Sequence, residues 1–166
     1  VRLEQVLSLL DTSNLDILCL QETKLIDENF PIEAFTDLGL YVSFSGQKTY
    51  NGVAIISKEP LEEVITDIPS LIDPQRRILA ATIGNIRVIN LYVPNGSTVD
   101  SDKYIYKLNW LKNVTEFIEK ELEAYPNLAV VGDFNIAPED RDVHDIKEWE
   151  GQVLVSESER NALMKI

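Results

Sequence analysis

The sequence predicts a mixed α/β protein that contains antiparallel sheet. Short apolar, β-rich runs recur along the chain, two of them meet at a two-residue Gly-Asn turn, and helical periodicities flank the set. With 45% hydrophobic and 26% charged residues, the composition is that of a folded domain and not of a disordered chain. No apolar run is long enough for a membrane span.

Leu3, Val6, Leu7 and Leu10 recur at helical spacing and predict a helix near residues 2–13, with no capping residue ahead of it. Asp16-Ile-Leu-Cys-Leu20 is a continuous apolar run of the kind found in strands covered on both faces. Its Cys19 is the single cysteine, which excludes an intramolecular disulfide, argues against a Cys-rich zinc site and reads as a buried core thiol. After a loop holding Pro31 come strands near 41–45 and 53–57 and a further one over 61–66. Ile78–Ile83 and Ile86–Val93 flank Gly84-Asn85 and predict a tight hairpin. Residues 101–123 form a long amphipathic helix whose buried stripe is Tyr104, Leu108, Leu111, Val114, Ile118 and Leu122. Pro126 stops it, Leu128–Val131 is another buried strand, and an acidic loop runs from Ala137 to Gln152. Residues 159–166 read as the opening turns of one more helix. A helix beginning at Val1 and another at the far end suggest that both ends are cut, so residues 1–166 are expected to be a single partial domain.

The chain carries 15 Lys+Arg against 28 Asp+Glu, a net charge of −13. Taken alone, that argues against a nucleic-acid binder, which ordinarily shows a basic face. The acidity is weakest over residues 58–100, with 4 basic and 6 acidic side chains, where Arg76 and Arg77 sit. No secretory signal pattern is visible, and a cytoplasmic monomer without a membrane partner is expected.

Three apolar strands end in polar groups that their bodies do not predict: Gln21-Glu22-Thr23, Tyr92-Val93-Pro94-Asn95 and Gly132-Asp133-Phe134-Asn135. If the strands are neighbours, two carboxylates, an amide and a phenol converge where a rigid sheet fixes their positions. Such a set suits a hard cation and a phosphate, because Mg²⁺ favours one or two carboxylates plus phosphate oxygens.

The same stretches carry a family resemblance. Leu18-Cys-Leu-Gln-Glu-Thr-Lys24, Tyr50-Asn-Gly-Val-Ala-Ile-Ile-Ser57, Val88-Ile-Asn-Leu-Tyr-Val-Pro-Asn-Gly96 and Val131-Gly-Asp-Phe-Asn-Ile-Ala-Pro138 occur in that order, with Gln75-Arg-Arg77 and Tyr106–Trp110 between them. Together they resemble the exonuclease III branch of the endonuclease/exonuclease/phosphatase superfamily. The resemblance implies a four-layer α/β sandwich, DNase I-like and incomplete in this chain. It also implies a Mg²⁺- or Mn²⁺-dependent DNA repair hydrolase that cleaves at abasic sites or removes 3′ nucleotides from duplex DNA.

By position, Glu22 matches the metal-binding glutamate and Asp133 the aspartate that orients or deprotonates the attacking water, with a metal role also open. Asn135 matches the amide that contacts a phosphate oxygen, and Tyr92 the active-site tyrosine. Arg76, Arg77, Lys107 and Asn51 are candidate contacts to DNA or phosphate. Adjacent arginines in an extended segment point opposite ways, so at most one of that pair faces DNA. The Lys107 stem also suits covering apolar surface, and Asn51-Gly52 suits shaping a turn. Gln21 is expected to support Glu22. His144 is the only histidine, but it lies in the loop after Gly-Asp-Phe-Asn and reads as a loop residue. The Ser-Asp-His motif that supplies the family's catalytic histidine is absent, as is the N-terminal strand bearing a metal-site Asn. The chain by itself is therefore expected to be inactive. Two rival readings stay open: a relative acting on a non-DNA phosphoester, and a non-catalytic scaffold.

Overall fold

A computed structural model of the chain describes residues 2–166. Helix α1 (Leu3–Thr12) leads into β1 (Ile17–Gln21), and a one-turn helix α2 (Glu33–Thr36) precedes β2 (Tyr41–Ser45) and β3 (Val53–Ser57). These strands form an antiparallel sheet in the order β1-β3-β2. The second sheet takes β4 (Glu62–Ile65), β5 (Ile78–Ile83), β6 (Ile86–Tyr92) and β7 (Leu128–Asp133) in chain order. Its β5-β6 pair is the predicted Gly84-Asn85 hairpin, with Ile83 opposite Ile86. The β6-β7 pair is parallel because α3 (Asp102–Ala124) makes the crossover between them.

Alternation along the strands sorts the side chains into layers. Val53 and Ile55 of β3 meet Leu79, Ala81, Ile83 and Val88 of the second sheet in one apolar cluster. The opposite faces of β5 and β6, with Ile78, Ala80, Ile89 and Leu91, pack on Trp110, Leu111, Val114, Phe117 and Ile118 of α3. Outside the first sheet, Phe30 stacks on Phe44 with ring centres 4.1 Å apart. The order is therefore outer aromatic cover, first sheet, second sheet, α3. The mixed α/β class expected from the sequence is the one observed.

Four expectations need correcting. Strands β1 and β7 are half-buried and not fully buried: each is an edge strand with a sheet neighbour on one side only among the described residues, although β7 meets an apolar cluster on both faces. Cys19 is accordingly half-buried, with its thiol pushed up to about 11 by burial. The buried stripe of α3 is rotated: Lys107, Trp110 and Phe117 are buried, whereas Leu122 is exposed, because the bulk of Trp110 and Phe117 fills the space over the sheet. The acidic loop contains a one-turn helix α4 (Ile146–Trp149), whose first turn is capped by the Asp145 carboxylate. The last predicted helix is α5 (Glu157–Leu163), started by a reciprocal Ser156/Glu159 capping box. No helix among the described residues is long and apolar enough to cross a membrane.

One polar residue crosses between the sheets. Asn90, with no exposed surface, donates through Nδ2 to the carbonyls of Leu20 (2.9 Å) and Ala54 (3.0 Å). Its Oδ1 accepts from Gln21 Nε2 at 2.7 Å. A buried amide satisfied in this way contributes a modest net amount, but deleting it strands its partners. We expect Asn90→Ala to lower the unfolding free energy by about 2–4 kcal/mol in urea denaturation, with an unchanged denaturant slope. A change below about 0.5 kcal/mol, the size of an ordinary surface substitution, would overturn this role.

Candidate active site

The three polar strand ends converge at one end of the facing sheets. Gln21 ends β1 with its amide on Asn90, and the backbone then leaves the strand at Glu22 through a left-handed conformation, φ 56°. That turn brings the Glu22 carboxylate to Tyr92 at the end of β6, whose hydroxyl donates to Glu22 Oε1 at 2.8 Å. Lys24, also left-handed, places Nζ 2.6 Å from Glu22 Oε2. The bonds from Lys24 and Tyr92 hold the Glu22 carboxyl below its ordinary value. Burial, reinforced by the Glu22 carboxylate, pushes the Tyr92 phenol up to about 12, so at neutral pH it is a protonated donor.

Asp133 lies directly opposite Tyr92 in the parallel register and on the same face of the sheet. The glycine before it is required: a Cβ on Gly132 would lie 2.0 Å from the Leu91 carbonyl oxygen. Asp133 is exposed, and its Oδ1 accepts the Asn135 backbone N–H at 3.0 Å. Asn135 is left-handed, φ 48°, with Nδ2 on the Val93 carbonyl at 3.0 Å and Oδ1 facing Asn95 Nδ2 at 3.4 Å.

The second-tier candidates separate. Arg77 lies across the Tyr92 ring, 4.7 Å from its centre, and bonds Gln75 Oε1 and the Tyr92 carbonyl. Arg76 turns the other way, to Asp67 at 2.6 Å. Asn51 is buried and left-handed, and its Nδ2 donates to Gln47 Oε1 at 2.8 Å. Arg77, Asn51, Gln47, Tyr50, Asn95 and Lys103 line an open cleft of about 490 Å³ beside Tyr92.

Lys107, expected on the DNA face, has no exposed side-chain surface and pairs with buried Glu159. Burial lowers its pKa, against the opposing pull of Glu159. It sits on the face of α3 shared with Tyr104 and Leu111, so the helix turns its ammonium inward. Gln21 supports the Glu22 strand end through Asn90, not by touching the carboxylate. His144 is exposed after a short 3₁₀ turn, on the lining of a second shallow cleft that Gly132–Asn135 also border.

Sequence reasoning did not single out Asn95, Lys24 or Lys103. Lys24 and Asn95 each lie within three residues of a chosen side chain, and that proximity past a strand end was the available signal.

Because Lys24 and Tyr92 act together on Glu22, Lys24→Ala and Tyr92→Phe should each raise the pH at which Glu22 titrates, read by carboxyl ¹³C NMR. A depressed carboxylate contributes stability above the unfolded-state value, and loses it as pH falls through the folded value. Both variants should therefore show less acid-induced loss of stability between those two values. An unmoved Glu22 titration in both would refute the arrangement.

Comparison with known proteins places this geometry. Residues 1–153 match the Endonuclease/Exonuclease/phosphatase family. An exodeoxyribonuclease III of Haemophilus influenzae is 32% identical over 148 residues, 86% of this chain and 55% of that protein. The fold superposes on the Neisseria meningitidis 3′-5′ exonuclease NExo with a TM-score of 0.97 and 44% identity, and on an AP endonuclease from Archaeoglobus fulgidus with 0.94 and 40%. Each superposition covers 99% of this chain and 64% of the other, so the chain spans less than two thirds of the relatives it matches. The chain belongs to the endonuclease/exonuclease/phosphatase family.

Proposed function

We propose that the protein carrying this chain is a divalent-metal-dependent phosphodiester hydrolase of DNA repair. It acts at abasic sites or at 3′ ends of duplex DNA, and residues 1–166 form one partial domain of it. The observation that carries the reading is the meeting of Glu22–Tyr92 with Asp133–Asn135 across the two sheets, beside a cleft lined by Arg77. A similar structure, the Neisseria 3′ phosphatase NExo, is bound to a product DNA hairpin, which favours DNA over other phosphoesters as the substrate class.

The donor set fits a hard cation. Every side-chain donor proposed is oxygen, and no group of three His, Cys, Asp or Glu converges among the described residues. That excludes a closed all-protein cage among those residues and suits Mg²⁺, which keeps waters and phosphate oxygens beside one or two carboxylates. Glu22 would hold the ion, with Asp133 as the other candidate carboxylate, and the ion supplies Lewis-acid polarisation of the scissile phosphate.

The remaining work falls to side chains. Asp133 has one oxygen engaged with the Asn135 N–H, which fixes its orientation and leaves the other to accept a proton from the attacking water. The water oxygen bonds to phosphorus in line as the bond to the departing 3′ oxygen breaks; that oxygen takes a proton from solvent to become the 3′-hydroxyl, and Asp133 returns its proton to solvent. The Tyr92 hydroxyl can move its hydrogen bond from Glu22 to a phosphate oxygen carrying developing charge. Asn95 and Arg77 supply further donors from the cleft wall.

In its full-length context the protein should incise duplex DNA at an abasic-site analogue, or shorten a recessed 3′ end, in Mg²⁺ and stop on chelation. Glu22→Gln and Asp133→Asn should each slow turnover by about 10²–10⁴-fold with unchanged circular dichroism. Hydrolysis of phosphoinositides in place of DNA, or full activity in Glu22→Gln, would sink the proposal.

A further inference from the structure

Lys107 has no exposed surface, and its ammonium is saturated. Its three N–H groups meet three acceptors from three segments: the Asn95 carbonyl (3.1 Å), the Asn135 carbonyl (2.6 Å) and Glu159 Oε1 (2.5 Å). Glu159, equally buried, is saturated in turn. Its oxygens also accept the Leu154 and Ser156 backbone N–H groups and the Ser156 hydroxyl, and that hydroxyl meets the Tyr104 hydroxyl at 2.6 Å. The lysine stem is pinned as well, since a Cβ on Gly96 would lie 3.2 Å from Lys107 Cδ.

Asn95 and Asn135 follow the ends of different strands; the Asn95 amide lines the cleft beside Arg77, and the Asn135 amide lies against it and the Val93 carbonyl. Asn135 holds a left-handed backbone, which asparagine tolerates better than other side-chain-bearing residues. Of the Asn135 backbone groups, the N–H goes to Asp133 and the carbonyl to Lys107. The ammonium therefore bridges the two loops from the buried side, beneath the Asn135–Val93 and Asn95–Asn135 bonds that also join them.

We infer that Lys107 and Glu159 are positioning residues: a buried cation, anchored by the first turn of α5, that clamps the Asn95 and Asn135 backbones and so fixes the paired Asn95 and Asn135 amides beside the cleft where a substrate phosphate would sit. The inference rests on the phosphodiesterase reading above for what the amides meet, and on the structure alone for the clamp. It assigns Lys107 to the site without contact to DNA. Apolar replacement of a buried ion pair as a unit is often tolerated, whereas removal of one partner leaves an unpaired buried charge. The pair is therefore the right unit to test.

In the full-length protein, K107M/E159L should stay folded, with its melting temperature within about 5 °C of wild type. Its kcat on abasic or 3′-recessed duplex DNA should fall at least about tenfold, with KM moved less than about threefold, as expected when an interaction made in the transition state is lost. Independently of activity, the Asn95 and Asn135 side-chain amide resonances should shift in ¹⁵N spectra. Should that variant fail to fold, K107Q/E159Q, which keeps polar partners in place, carries the same two expectations. A folded variant with kcat within twofold of wild type and unmoved amide resonances overturns the clamp. Wild-type protein that cleaves no DNA, in a background where the amide resonances do shift, overturns the nuclease reading and leaves the clamp standing.

Discussion

Asn90 lies between two apolar faces and is the buried side chain of β6 that bonds across to the first sheet. Apolar packing between sheets is non-directional, and facing strands can slide or rotate at small cost. A buried amide is directional. Two donors on the Leu20 and Ala54 carbonyls and one acceptor on Gln21 fix both the offset and the height of β1 against β6. Everything at the site follows from that offset. Glu22 comes one residue after Gln21, and Tyr92 two after Asn90, so their 2.8 Å bond is set by the amide beneath it. Asp133 then inherits its place from Tyr92 through the parallel register of β6 and β7. The same residues would meet in a less defined way if Asn90 were leucine, because the apolar cluster would survive while the register would lose its lock.

The acidic total is compatible with the proposed phosphate-facing role because of where the cations are used. Arg87 is buried under Glu121 and the Tyr125 ring, Arg76 is held by Asp67, and Lys107 is consumed by Glu159 and two carbonyls. Two basic side chains, Arg87 and Lys107, are buried as internal braces, and Arg76 is spent in a surface ion pair. Arg77 and Lys103 are left on the cleft wall, and Arg77 is itself braced on Tyr92. A surface of that kind gives little non-specific attraction, since affinity for a polyanion scales with the phosphates actually neutralised. Selectivity then comes from fixed geometry at the strand ends.

Much of the fold was legible because its signals are local. The runs at 53–57 and 78–83 are β-rich and apolar, Gly84-Asn85 is a hairpin turn, and Ser101 caps α3. The convergence of the candidate side chains at the strand ends was legible for the same reason, since polar groups after apolar strands stand out in the sequence. What was missed depends on non-local contacts. Lys107 looks like a surface cation unless its place is read against Tyr104, Leu111, Val114 and Ile118, where it sits at helical spacing on the buried face. Its partner was also available: Ser156-x-x-Glu159 is a capping-box pattern, but the pattern does not say that Glu159 will be buried under an ammonium. The left-handed backbone of Glu22 left no mark, because glutamate does not announce positive φ as glycine, or to a lesser degree asparagine, does.

Those left-handed residues are the last element to place. Glu22, Lys24, Asn51 and Asn135 are all non-glycine and all border the site. For Glu22 and Lys24 each such backbone costs on the order of 1–2 kcal/mol, and less for the two asparagines. They persist because neighbouring main chains brace one another. Thr23 N–H bonds the Gly52 carbonyl, Lys24 N–H the Asn51 carbonyl, and Gly52 N–H the Arg76 carbonyl. Close packing locks that bracing: a Cβ on Gly52 would come within 2.1 Å of Thr23 Oγ1, so the loops touch where only glycine fits. Strain held this way keeps Glu22 turned toward Tyr92 and out of the strand's regular alternation, which would aim it at the opposite face from Gln21. The loops after β1 and before β3 therefore act as one rigid wall, and the carboxylate and phenol behind it are preorganised before any ligand arrives.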